Sequence, residues 1–163
     1  MPPLPIRYSD YAAWQQSLDL SSQLTYWRKQ LSGIAPLLVL PTDFPRPAEP
    51  AAAGASYEFR LSQTETAALQ RFSQQNGVTL FMTLLTTLKV LLYRYSGIRD
   101  LAIGTPIATR QQASLEGIIG LFVNTLVIRT QLNNNPRFND QLTQVRSTTL
   151  AAYSHQDLPF EPL

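Results

Sequence analysis

The chain has 163 residues, enough for about one ordinary domain, and at 44% hydrophobic and 15% charged it is too apolar for a disordered segment. A net charge of +2 with the basic residues scattered along the chain gives little footprint for nucleic acid or an anionic membrane. The absence of cysteine excludes disulfides, thiol nucleophiles and thiolate metal sites, and one histidine without an acidic cluster leaves no metal-ligand set.

The first ten residues lack the apolar core of a signal peptide. Residues 8–31 read as two helical pieces. Tyr11, Trp14 and Leu18 repeat at helical spacing, and Leu20, Leu24, Trp27 and Leu31 do so in another phase. The phase break at Asp19–Ser22 predicts a kink or loop with a new N-cap, and Gly33 is a helix stop. Residues 34–54 carry Pro36, Pro41, Pro45, Pro47 and Pro50 before an Ala/Gly stretch, which predicts a surface linker. Tyr57, Phe59 and Leu61 alternate as in a half-buried strand.

Ser62 and Glu65 then form a capping-box signature for a helix running to Asn76, with Gly77 as its left-handed stop. Thr79 can cap the next helix, which ends at Gly97. Its broad apolar face of Phe81, Leu84, Leu85, Leu88, Leu92 and Tyr95, widened by Leu80, Val90 and Leu91, predicts the central core helix. The most apolar stretch, Val78–Tyr95, is interrupted by threonines, Lys89 and Arg94, so a buried helix fits it better than a membrane span. The threonines are expected to be caps or bonded to the helix backbone. Asp100–Ala108 and Leu121–Leu132 read as strands around a turn bracketed by Gly117 and Gly120. Asn133–Asn135 reads as a turn, and Asn135 with Pro136 starts a last helix whose stripe is Phe138, Leu142, Val145, Thr149 and Ala152. Helices on one side of a sheet would bury these faces, so the fold class is α/β, an α+β two-layer sandwich with too few strands to be complete.

Four strings occur in order. Tyr8-Ser-Asp-Tyr-Ala-Ala-Trp14 is the first. The second runs from Tyr26-Trp27 through Leu31-Ser-Gly33 to Leu40-Pro-Thr-Asp-Phe-Pro-Arg-Pro47. The third is Ile119-Gly-Leu-Phe-Val-Asn-Thr125 with Arg129, and the fourth His155-Gln-Asp-Leu-Pro-Phe-Glu161. Gly104-Thr-Pro-Ile-Ala-Thr-Arg110 is a looser fifth. Together, at this spacing, they resemble the condensation domains of nonribosomal peptide synthetases over essentially the whole chain. The interval between Trp14 and Tyr26 is shorter than usual for the family.

The resemblance implies a chloramphenicol-acetyltransferase-like fold of two lobes with a tunnel between them. Residues 1–33 would be the helical tail of the first lobe, 34–54 the interlobe linker and 55–163 a partial second lobe. In the whole enzyme, carrier domains would bring phosphopantetheine thioesters to the tunnel, and the acceptor amine would attack the donor carbonyl to form an amide. No cofactor is expected on this chain itself. The implied partners are the carrier domains, the adjacent adenylation domain and the rest of the condensation domain, in the cytoplasm, with no nucleic acid or membrane. The family's His-His-x-x-x-Asp-Gly motif is absent from these 163 residues. The chain is therefore expected to be a middle portion of the domain, inactive alone; the alternatives are a non-catalytic carrier-docking half-domain or a decayed remnant. The Phe-Val-Asn-Thr string resembles peptide-bond-forming members more than epimerising ones.

Among the candidate site residues, no catalytic or metal-binding group is assigned. Phe122, Asn124, Thr125, Gly120 and Arg110 are expected to form a tunnel-lining or structural motif. Asn124 on an apolar strand face must find hydrogen bonds, either to the acyl thioester or to adjacent segments. Arg110 could meet the catalytic aspartate's region or be purely structural. Tyr8, Asp10, Trp14, His155, Gln156, Asp157, Pro159 and Phe160 are expected to be structural. Tyr11 and Trp14 would be core, Asp10 would cap or charge the first helical turn, His155 would sit at a helix C-terminus, and Phe160 would be a buried aromatic in a helix-exit turn.

Overall fold

Helix starts and stops fall where side chains can satisfy the orphan backbone groups. The computed structural model describes residues 6–45, 47, 49, 54–110, 112–132 and 137–160. Helix α1 spans Tyr8–Gln16 and α2 spans Ser21–Leu31. The Asp10 carboxylate accepts a hydrogen bond from the Arg7 backbone amide at 2.9 Å, and the Asp19 carboxylate takes the Ser21 amide at 3.0 Å in the break between the helices. Helix α3, Gln63–Gln75, opens on the expected capping box: the Ser62 hydroxyl accepts from the Glu65 amide at 3.2 Å and the Glu65 carboxylate from the Ser62 amide at 2.8 Å. Helix α4, Leu80–Ser96, starts at Thr79, whose hydroxyl accepts from the Met82 amide at 3.2 Å. Gly77 and Gly97 follow α3 and α4 with φ of 62° and 69°, the left-handed stop that favours glycine.

Strands β1 (Asp100–Ala108) and β2 (Val123–Gln131) pair as a two-stranded sheet, with a 3₁₀ turn at Ala113–Leu115 between them, and α5 spans Phe138–Tyr153. The turn and cap expected at Asn133–Pro136 lie outside the described residues. The stripe predicted for α5 holds: Leu142, Val145, Thr149 and Ala152 are buried.

The chain divides into two compact units. The first comprises residues 1–34, 102–130 and 147–163, and the second 35–101 and 131–146. In the first, Tyr11, Leu115, Ile118 and Phe122 form a core cluster. In the second, α3 and α4 meet at 100°. The buried Ser73 and Thr83 hydroxyls bond each other at 2.7 Å at that corner, and Phe72 packs against Phe138. Among the described residues no single helix is long and apolar enough to cross a membrane.

Two sequence expectations fail in the second unit. Residues 56–61 are not a strand, and Tyr57, Phe59 and Leu61 are exposed. Alternation alone does not make a strand; it needs a neighbour for its backbone bonds, and none of the described strands pairs there. Helix α4 also turns the other way. Its buried residues are Met82, Thr83, Leu85, Thr86 and Lys89, whereas Phe81, Leu84, Leu88, Leu91 and Tyr95 are exposed. The threonines can be buried because their hydroxyls are already spent: Thr86 donates to the Met82 carbonyl at 2.7 Å, and Thr83 to that of Thr79 at 3.4 Å. What remains to pack is a methyl group.

Lys89 is 0% exposed, and its Nζ donates to the Leu101 carbonyl at 3.3 Å. Burial pushes its pKa down to about 7, with the charge of Asp100 working in the opposite direction.

The orientation of α4 and the burial of Lys89 each give a measurable outcome. In this chain Leu85→Ala should cost about 2–4 kcal/mol, the range for emptying a buried leucine site, and Leu88→Ala under about 1 kcal/mol. Equal losses in urea unfolding would refute the observed face. For Lys89, between about pH 7 and the ordinary lysine value near 10.4 the unfolded chain holds a proton that the folded chain has released. Stability should therefore rise with pH through that window and be flat with respect to this group below it. Lys89→Met should remove the rise; an unchanged slope in unfolding midpoints between pH 7 and 9.5 would count against the burial of a titrating lysine.

Candidate functional site

The residues singled out from the sequence converge in the first unit, around β2 and the segment that follows α5. Asn124 lies near the start of β2, between the exposed Val123 and the buried Leu126. Its Nδ2 donates to the carbonyls of Gln156 at 2.9 Å and Leu158 at 2.8 Å. Its Oδ1 accepts from the amides of Thr125 at 2.8 Å and Phe160 at 3.2 Å. A carboxamide has two N–H donors and two oxygen lone pairs, so this one is fully committed to backbone. The third and fourth sequence strings are thereby joined by a single side chain.

Arg110, just past β1, performs the same service for the loop between the strands. Its guanidinium donates to the Leu115 carbonyl and, at 2.7 Å, to that of Ile118, and it lies 4.0 Å from the centre of the Phe122 ring. Phe122 is also met edge-on by Tyr8 at 5.4 Å and, at a tilt, by Tyr11 at 4.7 Å. The Tyr8 hydroxyl donates to the Leu121 carbonyl at 3.1 Å. Gly120 lies against the Tyr8 ring so closely that a Cβ would overlap it, which is why the string carries glycine here. Arg129, on β2, donates to the carbonyls of Gln30 at 2.7 Å and Ser32 at 2.8 Å, at the C-terminal end of α2.

His155 sits at the C-terminal end of α5. Its Nδ1 faces the Ala151 carbonyl at 2.8 Å; because a carbonyl only accepts, that nitrogen carries the proton. The ring stacks on Tyr26 at 3.8 Å, and the His155 carbonyl accepts from Trp27 Nε1 at 2.8 Å. The imidazole is thus engaged on a face and at one nitrogen.

Two adjoining cavities, of about 170 and 220 Å³, share Tyr11, Gln15 and Thr109. Trp14 and Asp157 line the first, and Tyr8, Asn124, Thr125, Pro159 and Phe160 line the second. Asp10 and His155 stand outside both. Two expectations are corrected. Trp14 is 45% exposed rather than core, because Tyr11 occupies the inward position of α1. Phe160 is 46% exposed rather than buried, because in the turn after α5 Leu158 is the residue that points inward. Gln15, Gln23 and Thr109 were not identified from the sequence: each is polar, isolated and outside any quoted string apart from Thr109, and only its neighbours in space give it a part. No group of three or more His, Cys, Asp or Glu able to hold a metal occurs among the described residues.

The family model for the condensation domain matches residues 1–163. A linear gramicidin synthase protein of Brevibacillus parabrevis is 50% identical over 98% of this chain, which spans 3% of that protein. Phosphinothricin tripeptide synthetase PhsC of Streptomyces viridochromogenes is 44% identical over 100% of the chain, which spans 15% of it. Among solved structures, the X-domain from teicoplanin biosynthesis in its complex with OxyB superposes with a TM-score of 0.91 at 33% identity, covering 99% of this chain and 37% of that one. A match along the full length shows that this chain belongs to the condensation-domain family of nonribosomal peptide synthetases and is part of such a domain, with its chloramphenicol-acetyltransferase-like fold.

Proposed function

We propose that this chain supplies one wall and part of the scaffold of a peptide-bond-forming condensation domain. The whole domain would join two carrier-bound aminoacyl or peptidyl thioesters through an amide. The observation that carries the reading is the fusion of the Phe122–Thr125 and His155–Phe160 segments into the wall of one groove by the Asn124 carboxamide. In this reading residues 1–33 end the first lobe, 34–54 join the lobes and 55–163 belong to the second.

The chemistry divides accordingly. Attack of a neutral amine on a thioester carbonyl needs an oriented amine, a proton acceptor and stabilisation of the oxyanion. His155, the sole histidine, lines neither cavity, so this reading does not make it the base. The base belongs to the His-His-x-x-x-Asp-Gly motif of the rest of the domain. Asn124 has no hydrogen-bonding capacity left for substrate, so it acts on the groove's shape and not on the reacting atoms. Phosphopantetheine would arrive as an arm of the partner carrier domain. The apolar surfaces of Tyr8 and Phe160 and the side chains of Thr125 and Gln15 offer that arm both aliphatic contact and hydrogen bonds.

A second reading is favoured by one observation: the teicoplanin X-domain, which this chain superposes on, is seen in complex with another protein, OxyB. In that reading the domain docks partners without chemistry.

The test is the whole condensation domain containing this segment, supplied with donor and acceptor on loaded carrier domains. Amide product supports the first reading. Saturable carrier binding without product moves the assignment to docking, and neither would refute both. Within the active domain, Asn124→Ala strips partners from four backbone groups and should lower stability by about 1–3 kcal/mol, the scale for leaving buried polar groups unpaired. A variant as stable as the parent in denaturant titration would contradict the bridging role.

A further inference from the structure

The segment after α5 is irregular, so its backbone groups have no ladder or helix to satisfy them. Asn124 holds one side, and the other side is held by a residue outside the quoted strings. Gln23, in the first turn of α2, accepts through Oε1 from the amides of Asp157 at 3.1 Å and Leu158 at 3.0 Å. Its Nε2 donates to the Asp157 carboxylate at 2.9 Å. Pro159 has no N–H, so every amide hydrogen from Asp157 to Phe160 is taken by one of two carboxamides, Gln23 or Asn124. The same short segment furnishes a wall to each cavity: Asp157 to one, Pro159 and Phe160 to the other.

We propose that Gln23 is a positioning residue for the condensation reaction: with Asn124 it clamps residues 156–160 from two sides and so fixes the wall of the groove. The proposal rests on the reading of this chain as part of a peptide-bond-forming domain, and it adds to that reading a residue that lies outside every quoted string, one turn before Tyr26-Trp27 on α2. The polarity of the clamp is specific. Gln23 must accept from two amides and donate to one carboxylate, which a carboxamide does and a carboxylate does not. Gln23→Glu keeps size and acceptor but sets one negative charge against another at hydrogen-bond distance. With Asp157→Asn in place, the donor is restored from the other side, because the carboxamide introduced at position 157 can give its N–H to the carboxylate introduced at position 23.

The experiment is a double-mutant cycle in the whole synthetase, at a temperature where every variant remains folded. It compares wild type, Gln23→Glu, Asp157→Asn and the double variant, with Gln23→Ala added. Two quantities are read: turnover and KM for amide formation, and hydrogen exchange of peptides covering 156–160. Gln23→Glu should lower kcat about tenfold with KM for the loaded carriers unchanged, the size expected when a group is held slightly out of place. The same change in the Asp157→Asn background should have no effect beyond about twofold. Gln23→Ala should speed exchange in 156–160 at least about tenfold. Several results would overturn the proposal. One is equal loss in both backgrounds, and another is unchanged exchange in Gln23→Ala. Faster exchange with unaltered kcat would leave Gln23 a scaffold residue and refute its positioning role. Absence of amide product from the wild-type synthetase would defeat the functional reading instead, and the exchange arm would then decide the clamp by itself.

Discussion

The first unit depends on side chains that complete the hydrogen bonding of backbone outside regular structure. Asn124 is the centre of this arrangement, with two carbonyls and two amides on one carboxamide. Arg110 does it for the loop at Leu115–Ile118, and Arg129 for the end of α2. A planar group with several fixed donors or acceptors suits this task because it reaches more than one backbone group from a single rigid plane. Without them, loops lying against a core would leave polar groups stripped of water, at a cost that few small domains can absorb.

Seen this way, the quoted strings are mostly shape-keeping chemistry. Gly120 is glycine because Tyr8 lies on it. Tyr8 in turn meets Phe122 edge-on and bonds the carbonyl of Leu121, and the Arg110 guanidinium lies over the Phe122 ring. His155 is held by Tyr26 and by its own helix. The chain is part of a condensation domain, and these motif residues hold the segments that line its two cavities.

The second unit reverses an ordinary expectation about burial. A lysine and three hydroxyl residues, Ser73, Thr83 and Thr86, are buried there, while much of the leucine face of α4 is exposed. The hydroxyls are satisfied locally, so burying them costs little, and the lysine is met by the Leu101 carbonyl and the charge of Asp100.

The helix limits in this protein were legible in the sequence because caps are local physics. The Ser62–Glu65 box, the Thr79 cap and the stops at Gly33, Gly77 and Gly97 need only neighbours a few residues away. The family was legible too, since its strings are contiguous. The sequence did not reveal which face of α4 is buried, that residues 56–61 lack a strand partner, that Trp14 and Phe160 are exposed, or that Gln23 shares a segment with Asn124. Those outcomes are set by contacts between residues far apart in the chain. The Gln23–Asp157 bond spans a separation of 134 residues, and no period or motif records such a contact. A carboxamide's partners are chosen by whichever backbone groups the tertiary structure leaves unsatisfied beside it, and so the clamp was decided by the fold alone.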